Sequence, residues 1–457
     1  MQPNVLLIVL DTARADAVEP FGARGSTPTL AQLAESGVAT TPFASACWTV
    51  PSHASMFTGL LPRAAGLARV PEGRPQGAAS VLAGHRDRLL PEVFSRAGYA
   101  TAAVSTNLWI SEASGFATGF ERFESVGPGR QGRLHEQDLR GRVEWSLECL
   151  LARVDDGAAE AGGVLGRWIA ALDGTRPFFW FVNLVECHSP YLPPRPYNDL
   201  GPLDRVRAGE DARRHLSFDG VLRTCLGGLE PSVDALARMR HLYERSIRYM
   251  DDWLARLIER LENRGVLDQT LLVVTSDHGE NLGEGGLIAH ALSLDDRLIR
   301  VPLIAAGPGA ERLGEMRCLV GLPRALGEAA EIANSPWNGS ASAEWPAVAQ
   351  FEPPVLRDDP RAAEAIERWR LGERELWRLT TPFTCATDGE LKLIRRDGEE
   401  LVHDLGEDPL ELSPRPAAEL AASHGAQLDA LRAALEVSEA EPGVPAAKAE
   451  PPPAAPP

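Results

Sequence analysis

Near-continuous apolar runs over Asn4 to Leu10, Pro177 to Leu184 and Thr270 to Thr275 predict strands buried on both faces of a sheet, as in parallel α/β folds. Ala100 to Ser105 and Ile299 to Ala305 predict two further strands. Between the strands the apolar residues change to helical spacing. Ile247, Met250, Leu254, Leu257, Ile258 and Leu261 form the core face of one long helix, or two, from Val233 to Arg264, stopped by Gly265. Shorter helices are expected over Thr29 to Ser36 and over Leu90 to Ala97. Another is expected to begin at Pro51, whose missing N–H suits a first helical position, and to stop near Gly59. Gly127 to Gly174 reads as mostly helical, and Pro196 to Glu230 as a long loop-rich insertion of the sort that shapes a binding mouth. Strands alternating with helices predict an α/β fold, a doubly wound and mostly parallel sheet.

The pattern changes beyond Ala330. From there to Pro360 the chain is rich in Pro, Trp, Ala and Ser and has the character of an inter-domain connection. Ala362 to Leu379 reads as helical. Glu390 to Leu405 alternates apolar and polar residues about Asp397-Gly398, a hairpin pattern. Gln427 to Val437 predicts a last helix, and the Glu, Pro and Ala residues from Ser438 predict a disordered tail. The expected organisation is an α/β domain over 1–345, a small C-terminal α+β subdomain over 346–437 and a tail over 438–457.

Polar residues stand where the apolar runs stop. In open α/β sheets ligands bind beyond the carboxyl ends of the strands. Asp11 follows the first strand, placed to be a metal ligand, a charged anchor or a helix N-cap. Thr49 lies just before the helix that starts at Pro51, where free backbone N–H groups and the helix dipole suit a phosphate- or sulfate-like anion. Asn107 lies beyond Ser105, able to hydrogen-bond a substrate oxygen or to serve as a turn residue. His188 sits in a Pro-rich loop after the strand ending at Leu184. Asp277 and His278 directly follow a buried strand, with Gly279 allowing a sharp turn, a good geometry for metal ligands. Gly283, Gly285 and Gly286 loosen the next loop, which carries His290. Asp251 and Asp252 read as solvated or capping charges. Together the strand ends supply two carboxylates and a histidine for a metal, a hydroxyl to attack, and further histidines for proton transfer or anion binding.

Composition narrows the partners. Of the 457 residues 44% are hydrophobic and 24% charged, ordinary values for a globular protein, and the net charge is −18. That balance argues against non-specific nucleic-acid binding and leaves a local site for a small anionic ester open. The six cysteines are scattered without a C-x-x-C pair, neither a zinc ribbon nor a disulfide framework. No run has the length of a membrane span, and no signal peptide precedes the first strand, so a cytoplasmic location is expected. Oligomeric state is not readable.

The chain resembles the sulfatase family of the alkaline phosphatase superfamily over roughly residues 3 to 435. The resemblance rests on the run Asn4 to Thr12, on Thr49-Val50-Pro51-Ser52-His53 with Thr58-Gly59, and on His188-Ser189-Pro190-Tyr191. It rests further on Thr275 to Glu280, on Arg300-Val301-Pro302-Leu303, and on Val402-His403-Asp404-Leu405 followed by Glu407-Asp408-Pro409. It implies an alkaline phosphatase-like sheet and one divalent ion held by Asp11, Thr49, Asp277 and His278. His188 and His290 would then contact the anionic group and the leaving oxygen. The carboxylate-rich set suits Mn²⁺, Mg²⁺ or Ca²⁺, with Zn²⁺ not excluded.

Three positions depart from the family pattern. Where the family has a Cys or Ser that becomes formylglycine, this chain has Thr49, which cannot yield it. Cys47 is two residues out of frame. The family's following Arg is His53, and its usual second Asp after the first strand is Thr12. The expected activity is therefore metal-dependent hydrolysis of phosphate esters, phosphodiesters foremost, through a covalent Thr49 intermediate without formylglycine. The alternatives are a sulfuric ester hydrolase, a phosphoglycerol or phosphoryl transferase, and a non-catalytic binding protein on the same scaffold.

Overall fold

The apolar run at the amino end forms the middle of the main sheet. In a computed structural model describing residues 2–22, 26–127, 139–337 and 345–440, the early strands are β1 (Asn4–Leu10), β2 (Val38–Thr40), β3 (Ala100–Ser105), β4 (Arg122–Ser125), β5 (Phe178–Leu184) and β6 (Thr270–Thr275). Two-residue strands β7 (Asn281–Leu282) and β8 (Ile288–Ala289) make a separate ribbon, and β9 (Leu303–Ala306) rejoins the sheet. The main sheet has the order β2-β9-β6-β1-β5-β3-β4. β1 lies parallel between β5 and β6, so both its faces and both its edges are covered, and Val5 to Leu10 are all buried. The fold is the expected α/β type with a mostly parallel sheet; only β9 and β2 run against their neighbours.

The helices in chain order are α1 (Pro28–Ser36), α2 (Thr49–Thr58), α3 (Gln76–Gly84), α4 (Leu90–Arg96), α5 (Leu139–Leu151), α6 (Ala158–Ala170), α7 (Pro202–Asp211), α8 (Phe218–Cys225), α9 (Val233–Arg264) and α10 (Asp296–Ile299). α9 is one unbroken helix ending at Gly265, and α1 and α6 pack against it. Asp251 is a capping charge: its carboxylate accepts from the first amides of α1, Thr29 at 3.1 Å and Leu30 at 2.9 Å. Asp252 pairs with Arg248. Among the described residues no helix is long and apolar enough to cross a membrane.

Several boundaries differ from the sequence reading. The insertion from Pro196 to Glu230 is largely helical: α7 continues through a π-helical turn over Ala212–Leu216 into α8. The packing face of α7 is built largely from small residues, Ala208 and Gly209, so the usual large-apolar periodicity is absent there. Gly209 is the clearest case, since an added Cβ would meet Cys149 Sγ at 2.4 Å, and the Trp145 indole donates to the Gly209 carbonyl at 3.0 Å. The strand expected over Ile299 to Ala305 is shorter, because Pro302 has no N–H for the ladder and α10 occupies Asp296 to Ile299.

A second sheet follows, with strands β10 (Ala347–Phe351), β11 (Phe383–Thr387), β12 (Leu391–Arg396), β13 (Glu399–Asp404) and β14 (Arg415–Pro416), antiparallel in that order. β10 lies inside the stretch read as a connection. The helix expected over Ala362 to Leu379 is two, Pro360–Trp369 and Glu373–Thr380, broken where Arg370 turns to positive φ. Asp397 and Gly398 both have positive φ, the geometry of a two-residue hairpin turn. Ala417–Ala440 is two helices meeting at His424, whose backbone leaves the helical region (φ −129°, ψ 23°). The second carries the helix expected over Gln427 to Val437 and runs past Ser438, so the tail expected there begins as helix, and 441–457 lie outside the described residues.

One buried cation ties this sheet to the main one. Lys392 Nζ on β12 lies 2.6 Å from Asp296 on α10 and 2.7 Å from Glu411, and donates to the Leu294 carbonyl at 3.0 Å. Burial opposes the charge, but the carboxylates outweigh it and keep the ammonium protonated. Lys392→Met leaves two carboxylates without their counter-charge, so unfolding in urea should show a loss of about 3–5 kcal/mol.

Candidate active site

Four strand ends, those of β1, β3, β5 and β6, and one helix start meet at the carboxyl edge of the main sheet. β1 delivers Asp11, fully buried, then turns sharply at Thr12, whose φ is +63°. That left-handed residue costs on the order of 1 kcal/mol and is held from outside. The Tyr243 hydroxyl on α9 donates to the Thr12 carbonyl and accepts from the Arg14 amide, both at 2.8 Å, and the Ala13 amide donates to Ser276 Oγ at 2.9 Å.

β6 delivers Ser276, Asp277 and His278. Ser276 Oγ donates to the His278 carbonyl at 2.6 Å, closing the turn on itself. Gly279 is needed because the α10 backbone lies against it: a Cβ there would sit 1.9 Å from the Arg297 carbonyl oxygen. The Asp277 carboxylate accepts from the amides of His278 at 3.0 Å and Thr12 at 3.3 Å.

α2 delivers Thr49. The helix begins at Thr49, two residues earlier than expected, with Trp48 as N-cap. Pro51 remains compatible because it still falls among the first amides, which lack intrahelical partners. Gly59 ends the helix in the left-handed region, φ +69°, where an added Cβ would meet Trp337 at 2.9 Å. Every residue from Thr49 to Thr58 is buried, and Ser52 Oγ pins the helix to the Asp277 carbonyl at 2.6 Å. Thr49 Oγ1 lies 3.4 Å from His278 Nε2.

These residues suit a divalent cation. Asp11, Asp277 and His278 each offer a ligand atom, all within 4.8 Å of one another. Asp11 Oδ1 and Asp277 Oδ2 are buried without a hydrogen-bond partner, an arrangement costly in the absence of a cation. Burial and then the neighbouring Asp277 charge push the Asp11 carboxyl above its ordinary range. Burial and the nearby His290 depress His278 to about 3, so its ring is neutral. Its Nδ1–H donates to the Gly279 carbonyl at 3.0 Å, which leaves Nε2 as the lone-pair nitrogen facing the carboxylates.

The other expected residues come to the same place in different ways. His188 and His290 face each other with ring centroids 4.7 Å apart, and His290 stands equally close to His278. Asn107 also reaches the cluster, with its amide turned to Asp11. Nδ2 donates to Asp11 Oδ2 at 2.7 Å, and Oδ1 accepts from the Trp109 amide at 2.8 Å, which closes the turn.

Two further residues belong to the site and were not singled out from sequence. Glu280, fully buried, accepts from His290 Nδ1 at 3.0 Å. Burial works against charge on His290, but Glu280 outweighs it and raises the imidazole pKa. Asn183 Nδ2 donates to His53 Nε2 at 3.0 Å, while His53 Nδ1–H donates to the Thr49 carbonyl at 2.9 Å and lies 3.3 Å from Asp277 Oδ2. Here too burial opposes the charge, and Asp277 outweighs it, so His53 titrates above the usual range. Asn183 had a visible signal, a lone polar residue in the run Phe178–Leu184. Glu280 had none beyond its place next to Asp277 and His278.

Known proteins share this framework. A family model described as Sulfatase matches residues 3–315. The arylsulfatase of Clostridium perfringens (strain 13 / Type A) is 25% identical over 352 residues, spanning 68% of this chain and 69% of that protein. The multifunctional alkaline phosphatase superfamily protein PehA of Trinickia caryophylli is 28% identical over 162 residues, 32% of this chain and 31% of that protein. The crystal structure of the phosphonate monoester hydrolase of Agrobacterium radiobacter superposes with a TM-score of 0.66 at 21% identity over 96% of each chain, a likeness of fold.

Proposed function

The chain belongs to the sulfatase family of ester hydrolases, and from that premise we propose that it cleaves phosphate esters, phosphodiesters foremost, through a covalent intermediate on Thr49. The observation carrying this reading is the Thr49 hydroxyl at the start of α2, 3.4 Å from His278 Nε2 and beside two buried carboxylate oxygens without hydrogen-bond partners. A threonine gives no formylglycine, so the route in which a sulfated hydrate collapses is closed. A threonine phosphoester can instead be opened by water at phosphorus. The likeness to PehA supports phosphoryl chemistry.

A divalent cation held by Asp11, Thr49, Asp277 and His278 would supply positive charge beside the Thr49 oxygen and the substrate's nonbridging oxygens. Mn²⁺, Mg²⁺ or Ca²⁺ fits the oxygen-rich set, and Zn²⁺ is a further option. Asn107 holds Asp11 in register for that ion, and its second amide hydrogen remains for a substrate oxygen. Thr49 Oγ1, whose proton such a cation would help release to solvent beforehand, attacks phosphorus in line as the alkoxide and is restored as the alkoxide when the ester opens. The bond to the departing alcohol breaks, and that oxygen takes a proton from His290 or His188. Water then attacks phosphorus, returning a proton to the same imidazole and releasing Thr49. Glu280 keeps His290 charged for the first step. Glu280→Gln is expected to lower kcat about tenfold and to move the alkaline limb of the pH–rate profile to lower pH, because the imidazolium is then lost earlier.

The likeness to the arylsulfatase favours the second reading, a sulfuric ester hydrolase. Parallel assays with bis(p-nitrophenyl) phosphate, p-nitrophenyl phosphate and p-nitrophenyl sulfate separate the two. Turnover of the diester, with a phosphoryl adduct on Thr49 seen by mass spectrometry, is the expected result. Turnover of the sulfate ester alone overturns the phosphoryl reading. A cytoplasmic location accords with the six free cysteines.

A further inference from the structure

α5 has two apolar faces, and among the described residues only one of them is packed against the rest of the chain. Gly141, Trp145 and Cys149 are buried toward α7. On the opposite side Leu139, Val143, Leu147 and Leu151 recur every four residues and are 79%, 60%, 52% and 39% exposed. A stripe of this kind is uncommon on a surface without a partner. The charges beside it are also in an unusual order. Arg140 and Arg142 sit in the first turn, and Glu144 and Glu148 follow. Cations at a helix N-terminus oppose the macrodipole. Arg140 pairs with Glu144 at 2.8 Å, the less favourable orientation for an i,i+4 pair.

An antiparallel copy of the same helix accounts for both features. We propose that α5 pairs with α5 of a second copy of this chain about a two-fold axis beside Trp145. Leu139 then lies opposite Leu151 of the second copy and Val143 opposite Leu147, so the stripe is self-complementary. The basic first turn of each helix faces the acidic second half of the other, and the two dipoles oppose. An interface of this size is at the low end of specific ones, on the order of 1,000 Å² in total, so association is concentration-dependent.

Sedimentation equilibrium of the full chain over a range of concentrations tests this. The expected result is a monomer–dimer equilibrium that Leu147→Glu converts to monomer, with a melting temperature equal to that of the dilute, monomeric wild type. Arg140→Glu with Arg142→Glu should weaken the dimer about tenfold or more, and adding Glu144→Arg and Glu148→Arg should restore it. A wild-type chain that stays monomeric throughout overturns the proposal. So does a dimer indifferent to Leu147→Glu, a melting temperature of that variant below that of the dilute, monomeric wild type, or a stripe whose substitution alters binding to neutral phosphatidylcholine vesicles and leaves the mass untouched.

Discussion

Thr49→Ala is expected to reduce kcat toward a phosphodiester by on the order of 10⁴-fold. The change removes the attacking oxygen and leaves the three other cation ligands in place. Asp11, Asp277 and His278 keep their contacts with Ser276, Gly279 and Asn107, none of which involves the Thr49 side chain. Bound metal should therefore persist in the variant, measured by elemental analysis. Thr49→Ser keeps a hydroxyl on α2 and should stay within about tenfold of the parent. A Thr49→Ala enzyme that retains its rate would rule out the covalent route.

Asp11→Asn should act in opposite directions on stability and on function. Without a cation, the buried Asp11 carboxylate faces the Asp277 carboxylate, and its pKa is raised by burial first and by that charge second. A group whose folded pKa exceeds its unfolded one makes the folded state less stable as pH rises from the ordinary Asp value of 3.8 through the raised pKa. The metal-free wild type is thus expected to lose stability over that interval, and Asp11→Asn to be spared the loss. At neutral pH the metal-free variant should be more stable by about 1–2 kcal/mol. An asparagine can still accept from Asn107 and can donate to Asp277. The same substitution removes a charged ligand, so metal affinity should fall by about 100-fold or more and activity with it. Calorimetric melting in chelator and in Mn²⁺ reads both signs; a variant less stable than wild type in chelator would contradict the like-charge account.

The parts legible in sequence are those where burial and chemistry disagree along the chain. Val5 to Leu10 and Thr270 to Thr275 read as buried strands, and Asp11 and Asp277-His278 stand out because each polar group follows directly on one. Thr49 was placed by its helix start, although Pro51 drew that start two residues too far along. His53 is harder to read, since its meaning depends on Asn183 from β5 and Asp277 from β6, each distant in sequence. Asn107 looks equally suited to a substrate or a turn until Asp11 is seen 2.7 Å away. α7 is hard to read because Ala208, Gly209 and Ala212 carry the packing there, and small residues leave little periodic signal; α8 is only eight residues long, with Val221, Leu222 and Cys225 buried. α5 shows the reverse, a periodic stripe that stays exposed among the described residues.

The Lys392 contact makes the end of the chain a condition for its beginning. Synthesis lays down Asp11, Thr49, Asp277 and His278 first, followed by His290 and the turn to Asp296. The cation that neutralises Asp296, and the Glu411 that shares it, emerge well afterwards. A chain lacking β12 would carry Asp11, Thr49, Asp277, His278 and His290 yet leave Asp296 without its counter-charge. The Lys392 contact therefore couples the last sheet to the turn that follows His290, so that late-made residues hold early-made ones in place.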